Sequence, residues 1–118
     1  MAEIVYNPDV FRPRSMAEAR RIILTNEQSS CDERWQKETP VLVEMILREL
    51  QVRTTDLVLD YGCGIGRIAK EMCARGARVI GVDISPEMRE YAREYVNMPG
   101  RFLALSPEEF DLMVAHGL

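Results

Sequence analysis

The chain has 118 residues, which is enough for one domain with a modest core and too few for two. Apolar residues make up 47% and charged residues 29%, a balance typical of ordinary globular proteins rather than of disordered or fibrous chains. The net charge of −4, the dispersed Lys and Arg residues and the lack of a signal sequence or long apolar run predict a cytoplasmic protein with no membrane segment and no nucleic-acid-binding patch.

The N-terminal part of the chain is predicted to be an irregular arm followed by a helix. Residues 1–14 contain two prolines and no periodic pattern. Ser15 and Glu18 then form the pattern of a capping box, which predicts a helix that runs to about Asn26. The polar stretch 27–38 predicts a connection, and its Trp35 either covers a ligand or packs in the core.

A second helix is predicted to begin at Thr39 and Pro40. Threonine is a favoured cap, and proline is favoured at the first helical position because its missing N–H is not needed there. Apolar residues recur at helical spacing beyond this point and are expected to face the core: Leu42, Met45, Ile46 and Leu50.

From residue 57 onward the pattern alternates between strands and helices. The predicted strands are 57–59, 78–82 and 101–105, and each is followed by a predicted helix, at about 67–75, 86–96 and 107–116. The first strand is a short apolar run, so we expect it to be buried. This rhythm predicts an α/β fold with a parallel sheet, helices on its faces, and a ligand site outside the carboxyl ends of the strands.

The loop after the first strand carries glycine at every second position, Gly62, Gly64 and Gly66, with Cys63 among them. Glycine permits a tight turn and a close approach of the backbone to a ligand, although a plain strand-to-helix turn would also use it. A dinucleotide-binding GxGxxG motif would need its third glycine at position 67, and a P-loop would need a GK[ST] sequence. Asp60 at the strand end suits a ligand with an ammonium and a sulfonium group better than a pyrophosphate.

The loop after the second strand begins with Asp83 and Ile84. A carboxylate at this place can accept hydrogen bonds from both vicinal hydroxyls of a ribose, and Ile84 could lie against an adenine ring. The alternative is that Asp83 is a turn or capping carboxylate, although Ser85 already offers a cap.

Together the runs Val58–Gly66 and Val79–Ser85 resemble class I S-adenosylmethionine-dependent methyltransferases. The resemblance implies a Rossmann-like fold in which the glycine loop wraps the methionine part of S-adenosylmethionine. It implies that Asp60 faces the methionine amino group and that Asp83 holds the ribose. Backbone contacts to the cofactor are implied for Gly62, Cys63, Gly64 and Gly66.

The third loop departs from the family pattern, which often has an acid directly after the third strand to meet the adenine amino group. This chain has Ser106 there, which either takes that place or only caps the next helix. The sequence also supplies three of the seven strands of the family. It therefore predicts an incomplete sheet, with residues 1–38 as arm and lid and 39–118 as the N-terminal half of the methyltransferase domain.

The predicted function is methyl transfer from S-adenosylmethionine to an unidentified acceptor by the full-length enzyme, this portion alone being inactive. The alternative is a non-catalytic module that binds the cofactor or another protein. The open edge of the first strand predicts self-association. No catalytic residue is identified, and no metal site is predicted because the cysteines form no CxxC pair and His116 is distant from them.

Overall fold

The computed structural model describes residues 7–24 and 30–117. A short 3₁₀ turn, Pro8–Phe11, comes first. The helices are α1 (Met16–Ile23), α2 (Cys31–Leu50), α3 (Arg67–Ala74), α4 (Pro86–Val96) and α5 (Pro107–Ala115), and the strands are β1 (Leu57–Tyr61), β2 (Arg78–Val82) and β3 (Phe102–Leu105). The predicted alternation of strands and helices after residue 57 is therefore confirmed.

The described strands form one parallel sheet in the order β1-β2-β3. The register pairs Leu59 with Ile80 and Ile80 with Leu103, so these side chains share one face of the sheet. The predicted α/β class with a Rossmann-like parallel sheet is confirmed, and all three described β-to-α loops leave the sheet at the same edge.

The two faces of the sheet are covered unequally. Helices α3 and α4 pack on one face, where the buried cluster consists of Ala69, Met72, Cys73, Ala77, Val79, Ala92, Val96, Phe102 and Ala104. On the other face α5 covers a smaller cluster of Ile80, Val82 and Leu105 through Phe110 and Met113. Of these two clusters, the one under α3 and α4 is therefore the larger.

The expectation that β1 is a buried strand is wrong. Leu57, Leu59 and Tyr61 are 51%, 50% and 63% exposed, and they lie on the face where α5 reaches β1 through an edge-on contact between Phe110 and Tyr61. Among the described residues β1 has a neighbouring strand on one side only. The strand also continues through Asp60 and Tyr61, which the sequence had assigned to the loop.

Helix α1 begins as predicted, because the Ser15 hydroxyl accepts a hydrogen bond from the Glu18 N–H at 3.1 Å. The Glu18 carboxylate lies 3.8 Å from the Arg14 Nε. The helix runs to Ile23, and its predicted end at Asn26 lies outside the described residues. Its Ala19 is fully buried, as expected for the face that packs inward.

Helix α2 starts nine residues earlier than the sequence indicated, at Cys31 instead of Pro40. The Ser30 hydroxyl accepts the Glu33 N–H at 3.2 Å and caps the helix, so the connection predicted for 31–38 and the start predicted at Thr39 are wrong. Pro40 therefore lies inside the helix, where it removes one backbone donor. Burial of Trp35 and Thr39, each 5% exposed, compensates for this cost. The predicted boundary between residues 38 and 39 falls within this helix.

The inward face of α2 also differs from the expectation. Val43 is fully buried and Ile46 is half-buried, whereas Met45 and Leu50 are 46% and 66% exposed. Because the helix starts at Cys31, the face it turns inward is fixed by Trp35, Thr39 and Val43, which are spaced four residues apart. Within the part of the chain that the structure describes, no helix is long and apolar enough to cross a membrane.

Candidate functional site

The glycine loop is tied to the end of β2 by backbone hydrogen bonds. The Val82 carbonyl accepts the N–H groups of Gly62 and Cys63 at 2.6 and 3.0 Å. The Cys63 carbonyl then accepts the Gly66 N–H at 2.9 Å, which leads the chain into α3. The loop therefore has one defined conformation above the sheet before any ligand binds.

Glycine is required at the end of this loop for two reasons. Gly66 has φ +81°, and a Cβ atom there would lie 2.5 Å from the Val96 Cγ2 atom. Gly62 has φ +83°, but a Cβ atom there would meet nothing within 4 Å. Gly66 thus allows α3 to pack against α4, whereas Gly62 leaves open space beside the backbone.

Asp83 joins the second loop to the glycine loop. Its Oδ2 atom accepts the Gly64 N–H at 2.8 Å, and its Oδ1 atom accepts the Ser85 N–H at 2.9 Å. Its carbonyl oxygen accepts the Arg89 Nη1 group at 2.7 Å. The carboxylate is thus fixed in orientation as a turn carboxylate, while each oxygen keeps a further lone pair for a ligand hydroxyl.

Asp60 lies on β1 with a half-buried side chain. Burial raises the pKa of Asp60 above its ordinary value, and the negative charge of Asp83 raises it further. Within residues 7–24 and 30–117, no hydrogen bond or ion pair reaches its carboxylate. A bound cationic group would relieve this electrostatic cost.

A cleft of about 380 Å³ opens at the carboxyl edge of the sheet. Its lining consists of Phe11, Tyr61, Gly62, Val82, Asp83, Ile84 and Pro107. Of the residues predicted for the site, the structure places Gly62, Asp83 and Ile84 directly on this cleft, while Cys63, Gly64 and Gly66 are buried in the loop behind it. Ile84 is 53% exposed and offers an apolar surface to a ligand.

Residues 58–118 match the family model of a methyltransferase domain. The chain belongs to this family. It is 34% identical over 86 residues to an uncharacterized methyltransferase of Schizosaccharomyces pombe, an alignment that covers 65% of this chain and 33% of that protein. It is 38% identical over 66 residues to the N-demethylindolmycin N-methyltransferase of Streptomyces griseus, covering 51% of this chain and 28% of the relative.

Solved structures agree on the fold of this methyltransferase domain. Coclaurine N-methyltransferase, bound to N-methylheliamine and SAH, superimposes with a TM-score of 0.52 at 21% identity, covering 58% of this chain and 21% of that one. At this identity the likeness concerns the fold alone. The chain spans about a third or less of the length of the curated relatives it matches.

The backbone contacts predicted for the methyltransferase loop are restricted by its internal bonds. The N–H groups of Gly62, Cys63, Gly64 and Gly66 all donate to atoms of the chain itself. The carbonyl oxygens of Cys63, Gly64 and Gly66 also accept hydrogen bonds from the chain, but a carbonyl oxygen keeps a second lone pair, which attracts a cation rather than an anion. At the start of α3 no side chain of the described residues caps the free N–H groups of the first turn.

The Cys63 thiol is a packing group rather than a nucleophile. It is 7% exposed, and a Cβ atom at Gly81 would lie 2.8 Å from its sulfur. Burial, together with the charges of Asp60 and Asp83, raises the pKa of Cys63 to about 12. The thiol therefore stays protonated and fills the space between the loop and β2.

Ser106, the remaining candidate, caps α5. Its hydroxyl accepts the Glu109 N–H at 3.1 Å, and its own N–H donates to the Glu109 carboxylate at 2.9 Å. This complete capping box accounts for a serine at this position. Its part in binding adenine stays a prediction, since the next residue, Pro107, does line the cleft.

Sequence reasoning missed Phe11, Tyr61 and Pro107 as cleft residues. No local pattern marks Phe11, because its place over the cleft depends on a contact with α4, 75 positions further along the chain. The other two were visible as neighbours of Asp60 and Ser106. Trp35, by contrast, packs internally: it is 5% exposed and donates a 2.9 Å hydrogen bond from its indole N–H to the Tyr95 hydroxyl. Tyr6, a further aromatic residue of the N-terminal arm, lies outside the described residues.

Proposed function

We propose that this chain binds S-adenosylmethionine in the cleft between the glycine loop and Asp83, and that the full-length protein transfers the cofactor's methyl group to an acceptor. The observation that carries the proposal is Asp83, held by the Gly64 and Ser85 N–H groups beside an apolar cleft. Membership of the methyltransferase family supports the same reading.

The nucleoside end of the cofactor fits the side of the cleft formed by the second loop. The Asp83 carboxylate is held in one orientation, and each of its two oxygens keeps a free lone pair that can accept a hydrogen bond from a ribose hydroxyl. Ile84 is 53% exposed beside it and can pack on the flat face of adenine. Both residues line the cleft.

The methionine end fits the side formed by the glycine loop. Its ammonium group would be placed near the Asp60 carboxylate, which has no internal partner among the described residues, and near the loop carbonyl oxygens. Its carboxylate would be placed at the uncapped first turn of α3, where free N–H groups and the helix dipole favour a negative charge. A zwitterionic amino acid thus satisfies both features of this loop.

When bound, S-adenosylmethionine supplies a methyl group on a sulfonium, which needs alignment with a nucleophile more than it needs acid or base catalysis. In this chain Asp83 and Ile84 would hold the nucleoside, and Asp60 and the glycine loop would hold the amino-acid part.

The first experiment is calorimetric titration of S-adenosylhomocysteine into the chain, compared with the Asp83→Ala and Asp111→Ala variants. Asp111 is exposed on α5 and is the matched control. We expect saturable binding by the wild type and by Asp111→Ala, and a loss of roughly 100-fold in Asp83→Ala, because two charge-assisted hydrogen bonds disappear. A folded wild-type chain that does not bind would overturn the proposal for this chain.

The Asp60→Asn variant tests whether Asp60 contributes to cofactor affinity rather than to the stability of the fold. The substitution removes a charge that makes no hydrogen bond within the described chain, so the melting temperature should stay equal or rise. Affinity should fall about tenfold because the ammonium group loses its counter-charge. Unchanged affinity would remove Asp60 from the site.

We also propose that a second copy of the chain covers the open edge of β1. Leu57, Leu59 and Tyr61 are half or more exposed along this strand. The opposite edge is protected, since the Arg93 Nη2 group donates to the Ala104 carbonyl of β3 at 3.1 Å. Sedimentation equilibrium should detect a dimer that Leu59→Lys dissociates; a folded wild-type monomer at all concentrations would refute the idea.

We place the protein in the cytoplasm. Cys63 and Cys73 are free and buried, which suits a compartment that keeps thiols reduced. Fluorescence microscopy of a tagged full-length protein tests this placement: a diffuse cytoplasmic signal is expected, and a signal confined to another compartment would contradict it.

A further inference from the structure

The segment before α1 is a closed turn of its own. The Asn7 side chain accepts the Asp9 N–H at 3.1 Å and begins the 3₁₀ turn Pro8–Phe11. The Arg12 N–H donates to the Asp9 carbonyl at 3.1 Å and ends it. Phe11 and Arg12 are therefore held in a fixed relation to each other, and whatever anchors one places the other.

Arg12 anchors this turn on the first turn of α4. Its Nε and Nη2 groups both donate to the Glu87 Oε1 atom, at 3.0 and 2.9 Å. Glu87 lies four positions after Asp83, and the hydroxyl of Ser85 donates to its other oxygen at 3.5 Å. Glu87, which anchors the turn, thus lies on α4 just after the loop that contains Asp83, the candidate for ribose binding.

The ion pair connects the turn to α4 through side chains that are partly open to solvent. Phe11 is 38% exposed and is not a member of any of the buried clusters among the described residues. Val10 beside it is 58% exposed, so apolar burial within the turn itself contributes little, while Pro13, directly after Arg12, is buried. The side chains of Arg12 and Glu87 are 58% and 29% exposed, which leaves the pair open to screening by salt.

Phe11 lines the cleft together with Asp83 and Ile84. An aromatic ring and an aliphatic side chain beside a carboxylate present the chemistry that a nucleoside needs, with apolar contacts for the base and acceptors for the sugar. We propose that Phe11 covers the nucleoside of the bound cofactor and that the Arg12–Glu87 ion pair positions it there, so that cofactor affinity depends on this pair. The inference rests on the proposed cofactor function.

The experiment measures affinity and dissociation rate for S-adenosylhomocysteine in Phe11→Ala, Glu87→Gln and Glu90→Gln. Glu90 is exposed on the same helix and serves as the matched control. Phe11→Ala should weaken binding roughly three- to tenfold through lost apolar contact. Glu87→Gln should weaken it about two- to fivefold through faster dissociation. Glu90→Gln should match the wild type.

A charge exchange tests whether the pair acts as a pair. The double variant Arg12→Glu with Glu87→Arg restores attraction between the two positions and should recover affinity, whereas either reversal alone should not. Raising the salt concentration should weaken wild-type binding more than binding by Glu87→Gln. Equal salt dependence, or no recovery in the double variant, would overturn the positioning role.

Amide hydrogen exchange tests the Arg12–Glu87 anchor in the absence of a ligand. The Arg12 amide should exchange faster in Glu87→Gln than in the wild type or in Glu90→Gln, and equal rates would refute the anchor. If the wild type binds and Asp83→Ala does not, while Phe11→Ala and Glu87→Gln bind normally, this inference fails and the proposed function stands. If the folded wild type binds nothing, the cofactor function and the covering role of Phe11 both fail.

Discussion

Helices α3 and α5 both begin at the carboxyl edge of the sheet, but their first turns are finished in opposite ways. The start of α5 is closed by a complete capping box between Ser106 and Glu109. The start of α3 has Gly66 in a left-handed conformation, and no described side chain caps it. Two helix starts with the same position in the fold thus differ in whether their N–H groups are available.

The presence or absence of a cap affects the stability of a helix and the availability of its N–H groups to a ligand in opposite directions. A capping box stabilises a helix by about 1 kcal/mol, so its absence at α3 is a loss of stability at that end. The same absence leaves donors and the positive end of the helix dipole open at the end of the glycine loop. The uncapped start therefore suits the anionic ligand group proposed above, whereas the capping box already uses the N–H groups of Ser106 and Glu109.

The largest expected effect comes from the glycine at the uncapped start. Gly66→Ala should lower the free energy of unfolding by roughly 2–4 kcal/mol, because φ +81° is strained for alanine and the Cβ atom would lie 2.5 Å from Val96 Cγ2. Gly62→Ala is the matched control. It meets no neighbour within 4 Å and should cost only about 1–2 kcal/mol. Urea unfolding of both variants gives the comparison.

Equal losses in these two variants would mean that close packing between α3 and α4 is not what demands Gly66. The comparison would then have to be based on backbone conformation alone, since both positions have positive φ.

A smaller effect is expected at the capped start. Ser106→Ala should lower the free energy of unfolding by about 1 kcal/mol through loss of the cap, and leave the affinity for S-adenosylhomocysteine within about twofold of the wild type. Thermal unfolding and calorimetric titration measure the two quantities. A clear loss of affinity without loss of stability would assign Ser106 to the cofactor and break the comparison.

The smallest effect is a pH dependence of the same cap. Hydrogen bonds with Ser106 lower the pKa of Glu109 below its ordinary value of 4.5. A carboxylate whose pKa is lower when folded stabilises the fold above its unfolded pKa and loses this contribution as the pH falls through the folded value. The difference in melting temperature between wild type and Glu109→Gln should therefore shrink below pH 4.5. A difference constant with pH would contradict this.

The β-to-α part of the fold was predictable because its signals are local. Ser85, Ser106 and the apolar strand runs mark their own elements, and each predicted end lies within two residues of the observed one. The start of α2 was not predictable in this way. Thr39 and Pro40 are a good local start signal, but the burial of Trp35 against Tyr95 extends the helix backward from that point.

Of the residues that line the cleft, Gly62, Asp83 and Ile84 were predicted from the sequence, whereas Phe11, Tyr61 and Pro107 were not. Asp60 and Asp83 were chosen as candidates from their places at strand ends, a rule that needs no tertiary contact, and the role of Asp60 stays a prediction. Phe11 could not be found because its position depends on the Arg12–Glu87 pair, which joins residues 75 positions apart. The sequence also could not predict that the N–H groups of the glycine loop donate hydrogen bonds within the chain, since these bonds depend on how the loop folds onto Val82 and Asp83.

The environment of the single tryptophan has a practical consequence for spectroscopy. Trp35 lies between the guanidinium groups of Arg20 and Arg67, 4.6 and 5.5 Å from its ring centroid, and edge-on to Tyr95. All of these partners belong to α1, α3 and α4, and Trp35 does not line the cleft. Its emission is therefore a one-site optical reporter of how the helices assemble. It can follow unfolding through the loss of these contacts between helices.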